Sequence, residues 1–290
     1  MTAGSPALDY FGLRESPFAL TPNPQLFFPW EQPQAVLAGL TFSLARGDGL
    51  LTVSGAVGSG KTLLCRLLLG RLEGEGVNTA YLNAPVTEAK YLPLIVAREF
   101  GITPADHREP YRDLREFLLG QFARGKRNVL VVDEAQALGE SGLELIRLLS
   151  NLETETHKLL QIVLFGQVEL DQLLQRVMLR QIAQRIAFSF STKPLPQSLI
   201  PAYVGFRLQR CAQGYRGQEL FAPAALHRLG KASGGWPRLV NLLADKAMLA
   251  AYSASQPQVT AAHVRAAQID SYRQRGGSSW FGWLAHSKVA

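Results

Sequence analysis

The stretch GAVGSGKT at Gly55–Thr62 decides how the rest of the chain is read. Before it, Leu50 to Val53 (LLTV) has the apolar run of a short buried strand. After it, LLCRLLLGRLE at Leu63 to Glu73 carries apolar residues at helical spacing. A glycine-rich turn at a strand-to-helix junction lets backbone N–H groups surround a polyphosphate at the positive end of the helix. The expected phosphate contacts are Gly55, Ala56, Val57, Gly58, Ser59, Gly60, Lys61, Thr62 and Leu63. Lys61 would reach the β- and γ-phosphates, and the Thr62 hydroxyl would be a ligand of Mg²⁺. The bland alternative is a glycine turn before an ordinary core helix, but that needs none of the other diagnostic positions.

Seventy residues on, in round terms, Asn128 to Gln136 reads NVLVVDEAQ. Four apolar residues in a row describe a strand buried on both faces of a parallel sheet, and the run ends in two adjacent carboxylates. Asp133 is the expected holder of the Mg²⁺ shell, and Glu134 the group that polarises the attacking water. Successive strand residues point to opposite faces, yet the chain turns at a strand's C-terminal edge, so both carboxylates can address one crevice. Ligands of open α/β sheets bind at that edge.

The remaining composition bounds the classes of protein. With 290 residues the chain can bury a full core, and it is expected to divide into one large and one small domain. A hydrophobic content of 47% against 18% charged residues excludes a disordered chain. No apolar run approaches the ~20 residues that span a bilayer, and the N-terminus lacks a signal-peptide pattern, so the expected location is the cytoplasm. Cys65 and Cys211 alone give neither a disulfide framework nor a metal-ligand pairing. Residues 1–192 hold 18 Lys/Arg against 20 Asp/Glu, whereas residues 193–290 hold 12 against 3. The basic C-terminal part suits nucleic acid, an anionic membrane surface or an acidic partner, and charge does not choose among them.

Along the chain, strands at Leu50–Val53, Val77–Asn83, Val129–Asp133, Leu159–Phe165 and Ile186–Phe190 alternate with helices at 31–46, 63–73, 88–100, 111–123, 142–153 and 168–184. That alternation predicts an α/β fold, a three-layer parallel sheet over residues 1–192. A lead segment, 1–30, with prolines among Phe18, Phe27, Phe28 and Trp30, is expected to form no regular element and to pack across the core. After Lys193-Pro194 the pattern is helical throughout, at 197–212, 223–232, 237–252 and 260–272, which predicts a small all-α domain over 193–272. A basic and aromatic tail, 273–290, carries Trp280, Phe281 and Trp283.

These motifs together resemble the AAA+ ATPases, and among them the ExeA/GspA family of bacterial secretion and pilus-assembly ATPases. The resemblance rests on YFGLRESPFALTPNPQLFF at 10–28, DEAQ ending at Gln136, LLQIVLFGQVEL at 159–170, LRQIAQRI at 179–186 and GGWPRLVNLL at 234–243, and it covers roughly residues 10–270. Within the family, the chain is similar to the short member associated with biogenesis of the mannose-sensitive haemagglutinin type IV pilus. The resemblance implies a P-loop NTPase domain with a helical lid. It places Gln167 at the sensor-1 position, facing the γ-phosphate or the water, although many relatives have Asn or Thr there. Arg180 and Arg185 fall in the arginine-finger segment, where a guanidinium serves a neighbouring subunit's γ-phosphate. Arg238, in GWPR, falls at sensor 2, which would tie the lid to bound nucleotide.

The expected activity is hydrolysis of ATP with Mg²⁺ by a homo-oligomer, driving or regulating assembly of a type IV (MSHA-like) pilus or secretion apparatus, with pilus or secretion components as partners and a possible station at the cytoplasmic face of the inner membrane. A kinase is disfavoured, because the P-loop is paired with DEAQ and a GxPR lid and no acceptor pocket is evident. Two alternatives stay open: a DNA-associated ATPase resembling the TniB transposition helpers, using the basic lid on phosphate backbone, and a nucleotide-dependent scaffold with little turnover.

Overall fold

A computed structural model describes residues 6–83, 88–102, 109–213 and 220–273, the side chains of the last helix as far as Ser271. The elements in chain order are α1 (Pro6–Tyr10), α2 (Glu31–Arg46), β1 (Leu50–Ser54), α3 (Lys61–Gly74), β2 (Asn78–Leu82), α4 (Leu92–Glu99), α5 (Pro110–Ala123) and β3 (Asn128–Val132). There follow α6 (Gly139–Leu149), β4 (Gln161–Gly166), α7 (Val168–Leu174), α8 (Arg180–Ala183), β5 (Ile186–Ser191), α9 (Ile200–Cys211), α10 (Pro223–Ser233), α11 (Pro237–Ser253) and α12 (Ala261–Arg273). Two compact units divide them: residues 22–193, and residues 1–21 together with 194–290.

In the unit 22–193 the strands form one parallel sheet in the order β2-β3-β4-β1-β5. Alternate strand residues supply two separate cores, as the two-residue period of a strand requires. Leu130 and Val132 of β3 and Ile162 and Leu164 of β4 pack with α4, α5 and α6 on one face. Val129, Val131, Val163 and Phe165 pack with α2 and α3 on the other. Every residue of β1, β3 and β4 is buried, which is why these strands read as continuous apolar runs. The polar exceptions are satisfied: Asn128 Nδ2 donates to the Leu159 carbonyl at 3.1 Å, and Gln161 Nε2 to the Leu44 and Asp48 carbonyls at 2.9 and 3.0 Å.

Several boundaries differ from the sequence expectation, each for a local reason. The helix expected through Glu153 stops at Leu149, because Ser150 Oγ donates back to the Arg147 carbonyl and the chain then turns. Thr154 Oγ1 accepts the His157 N–H at 3.0 Å inside that turn, which closes on a bridge between Glu153 and Lys158. The helix expected over 168–184 is interrupted by a 3₁₀ turn at Val177–Leu179. The lead segment does contain regular structure, α1 and a 3₁₀ turn at Pro24–Leu26.

Nor does the whole lead segment pack on the sheet core as expected. Residues up to Thr21 belong with the helical unit, and only those from Pro22 onward with the sheet. Within the helical unit, Phe18 is 1% exposed and meets Phe221 edge-on with ring centroids 5.9 Å apart. Leu13 bridges Ala212, and the buried Arg207 donates from Nε to the Pro17 carbonyl at 2.5 Å. Arg207 also reaches the Tyr203 hydroxyl, which donates to Asn241 Oδ1 at 2.8 Å. An aromatic segment without strand or long helix is thus held by a cation on α9. The basic and aromatic tail from residue 274, with Trp280, Phe281 and Trp283, lies outside the described residues. Among the described residues no helix is long and apolar enough to cross a membrane.

Candidate functional site

The loop 55–60 leaves the C-terminal end of β1 and enters α3, so it stands at the edge of the sheet where β3 and β4 also end. Gly60 caps α3 with φ 97°, in the left-handed region that an L side chain resists. Gly55 is required for a different reason: a Cβ there would lie 1.8 Å from Thr192 Oγ1. Thr192 follows β5, its N–H donates to the Ser54 carbonyl at 2.8 Å, and its hydroxyl lies 2.7 Å from Ser59 Oγ. The loop is therefore stapled to the end of β5 by a buried hydroxyl pair, Ser59 being 8% and Thr192 7% exposed.

Lys61, the first residue of α3, is 5% exposed, and its ammonium donates to the Gly55 and Ala56 carbonyls at 2.8 and 3.0 Å. Burial pulls its pKa below the usual lysine value, while the carboxylates of Glu134, Asp133 and Glu169 act in the opposite sense. A buried ammonium held by two carbonyls of a loop fits an anionic guest in that loop, and the chemistry of the donor set fits ATP with Mg²⁺. Thr62 offers a half-buried hydroxyl next to Lys61, and Asp133 a carboxylate 5% exposed at the end of β3.

Asp133 and Glu134 do turn toward one edge, and the backbone shows how. Asp133 Oδ1 accepts the Glu134 N–H at 2.9 Å, and Glu134 takes up φ 51°, ψ 40°, a left-handed conformation that is rare for a residue with a side chain. Glu134 Oε2 then accepts Nε2 of Gln136 at 2.5 Å and Nε2 of Gln167 at 2.9 Å. Burial works to raise the pKa of Glu134, but these two amide donors and Lys61 outweigh it and hold the carboxyl below its usual value.

The structure thus brings together Lys61, Asp133, Glu134 and Gln167 at one edge of the sheet, as the motif reading expected. Arg180 and Arg185 are both exposed and stand elsewhere, Arg185 immediately before β5 and hence at the opposite edge. Arg238 is exposed in the first turn of α11, in the helical unit. Sequence reasoning missed two participants. Gln136 was legible as the last letter of DEAQ but given no task. Thr192 had no signal at all, since its role depends on which strand neighbours β1.

A phosphate loop after β1, an acidic pair after β3 and a polar residue after β4 on one parallel sheet define a P-loop NTPase. Comparison with known proteins makes the class specific: the fold is the AAA+ P-loop NTPase fold. Residues 45–174 match the family described as AAA domain. The chain is 40% identical over 277 residues to General secretion pathway protein A of Aeromonas hydrophila, covering 93% of this chain and 49% of that protein, so it spans about half the length of the curated relative it matches. Among solved structures, it is similar to the Aeropyrum pernix ORC1 protein in complex with DNA (TM-score 0.66, 19% identity, 90% of this chain and 70% of that one). It is similar also to Cdc6p of Pyrobaculum aerophilum (TM-score 0.62, 17% identity, 84% and 67%) and to the Thermotoga maritima RuvB branch migration motor (TM-score 0.55, 16% identity, 88% and 74%). At these identities the structural likenesses establish the fold.

Proposed function

We propose that the chain is a GspA-like AAA+ ATPase that binds and hydrolyses ATP to drive or regulate assembly of a secretion apparatus or a type IV, MSHA-like, pilus. The observation that carries the catalytic part is the buried Lys61 ammonium on the loop carbonyls, with Asp133 and the amide-held Glu134 beside it. On binding, the phosphates take over the ammonium from Gly55 and Ala56, at the positive end of α3. Thr62 and Asp133 hold Mg²⁺, which neutralises charge on the phosphates. Glu134 accepts a proton from the attacking water, and Gln167 orients it.

Arg185 precedes β5 at the far edge of the sheet, so it serves a neighbouring subunit rather than its own loop; Arg180 is its companion candidate. This makes hydrolysis dependent on a homo-oligomer, with Arg238 linking the helical unit to nucleotide state. The likeness to General secretion pathway protein A supports secretion or pilus components as partners, and a cytoplasmic station with peripheral attachment to the inner membrane. A second reading, a DNA-associated ATPase, is favoured by one observation, the 12 Lys/Arg against 3 Asp/Glu after residue 192.

Glu134→Gln tests the reading. Its amide cannot take the proton, so it should bind ATP while turnover falls about 10²–10⁴-fold. Near-normal turnover would remove Glu134 from the mechanism. Affinity purification of the same variant with ATP then separates the roles: pilus or secretion components support the first reading, DNA the second.

A further inference from the structure

We infer that Gln136 is a positioning residue for Glu134: its carboxamide anchors one oxygen of that carboxylate and ties it to the loop that carries Gln167. This rests on the hydrolytic reading of Glu134 and adds the means by which that side chain is aimed.

Gln136 uses both ends of its amide. Nε2 donates to Glu134 Oε2 at 2.5 Å, while Oε1 accepts the backbone N–H of Gln167 at 3.0 Å. Gln167 closes the circuit by donating from its own Nε2 to the same Oε2 at 2.9 Å. Three side chains and one backbone amide thus form a ring that spans the ends of β3 and β4. Both donors converge on Oε2, and none of these bonds uses Oε1. One oxygen is anchored and the other is presented, which is the arrangement a general base needs if its reactive lone pair is to have a fixed address.

The surroundings are shaped for this contact. Gly166, the last residue of β4, lies so close that a Cβ there would stand 3.2 Å from Gln136 Oε1 and 2.5 Å from Leu170. Glu134 enters the ring through its left-handed backbone, so the turn that swings it toward Gln136 is itself held against a local preference for other conformations. The 3₁₀ turn that carries Gln136 starts at once, with the Ala137 N–H donating to the Glu134 carbonyl at 2.8 Å. Asn at position 136 would be one methylene too short to hold both partners. Glu at 136 would keep an acceptor for the Gln167 N–H but face Glu134 with a second carboxylate instead of a donor.

Gln136→Ala and Gln136→Glu are therefore the informative pair. In steady-state kinetics both should lose about ten- to a hundredfold in kcat, the range expected for a misaimed reacting group, with ATP affinity by direct titration and melting temperature unchanged. Gln136→Glu, nearly the same shape, should be at least as slow as Gln136→Ala. A role confined to packing predicts the reverse order. Combining Gln136→Ala with Gln167→Ala should cost little more than either alone, because the two act through one carboxylate. The ring is tested without turnover in the nucleotide-free protein by amide NMR, where Gln136→Ala should shift the Gln167 backbone N–H and Glu134→Gln should shift the Gln136 carboxamide. Unmoved resonances would overturn the ring. Wild-type kcat in both variants of an active enzyme would overturn the positioning role. An enzyme with no turnover at all would instead refute the hydrolytic reading, with the NMR result still deciding the ring.

Discussion

Replacing Gly55 with alanine puts a single methyl group into a space already taken. The added Cβ would meet Thr192 Oγ1 at 1.8 Å, with Thr192 Cβ and Ser59 Oγ both at 3.1 Å, against an ordinary contact of about 3.5–4.0 Å between carbon atoms. Something must move by more than an ångström, and Thr192 is poorly placed to do so. Its hydroxyl is buried, 2.7 Å from Ser59 Oγ and 3.3 Å from the Ser54 carbonyl, and rotating it away forfeits those contacts at about 1 kcal/mol of net stability for a hydrogen bond. Overpacking adds about 1–3 kcal/mol, so Gly55→Ala should destabilise the sheet unit by roughly 2–4 kcal/mol. Urea unfolding followed by tryptophan-independent circular dichroism measures this directly. The clash also makes a specific second prediction. Thr192→Ala costs stability by itself, yet in the Gly55→Ala background it removes the atom in the way, so the double variant should be more stable than the sum of the single losses implies. ATP affinity should follow the same order, because the loop that receives the phosphates is the loop being displaced. A Gly55→Ala protein with wild-type stability and affinity, or losses that simply add in the double variant, would show that Thr192 does not confine the loop.

Two further predictions concern the charge partners. Lys61→Ala should weaken ATP binding by about a hundredfold or more in a direct titration, since a charge-assisted contact to phosphate contributes about 3 kcal/mol; unchanged affinity would sink the loop assignment. If Arg180 or Arg185 acts on a neighbour's nucleotide, turnover per subunit should rise with protein concentration, and a finger variant mixed with Glu134→Gln should regain part of its activity. Concentration-independent turnover, with no recovery at any mixing ratio, would count against catalysis across subunits.

The parts of the fold that were legible in sequence are those with one strong local signal. LLTV, NVLVV and LLQIVLF announced buried parallel strands because both their faces are covered, and the structure buries every residue of β1, β3 and β4. β5 was found with less to go on, since as an edge strand its residues are mostly exposed. The helix ends at Leu149 and Leu174 were missed because side-chain hydroxyls and a 3₁₀ turn, rather than Gly or Pro, end the pattern there. The lead segment was misplaced for a related reason. Its aromatics signalled burial, but nothing in their spacing could say that a buried Arg207 on α9 would be what receives the Pro17 carbonyl.

For the site, the sequence named the chemistry and the structure supplied the angles. Lys61, Asp133, Glu134 and Gln167 are recoverable from motif spacing because phosphate and water demand those residue types at strand ends. The hydrogen bonds between Glu134 and Gln167 depend on β3 and β4 being neighbours, which strand spacing in sequence does not reveal. The same adjacency explains Gln136. Two residues beyond a carboxylate on a continuing strand, a side chain would point to the same face and away along the chain. Here the left-handed turn at Glu134 folds the chain back, so Gln136 meets both its neighbour in sequence and its neighbour across the sheet. A residue that looked like the end of a motif is therefore placed where strand order and one unusual backbone angle converge, and it is the strand order that gives it something to hold.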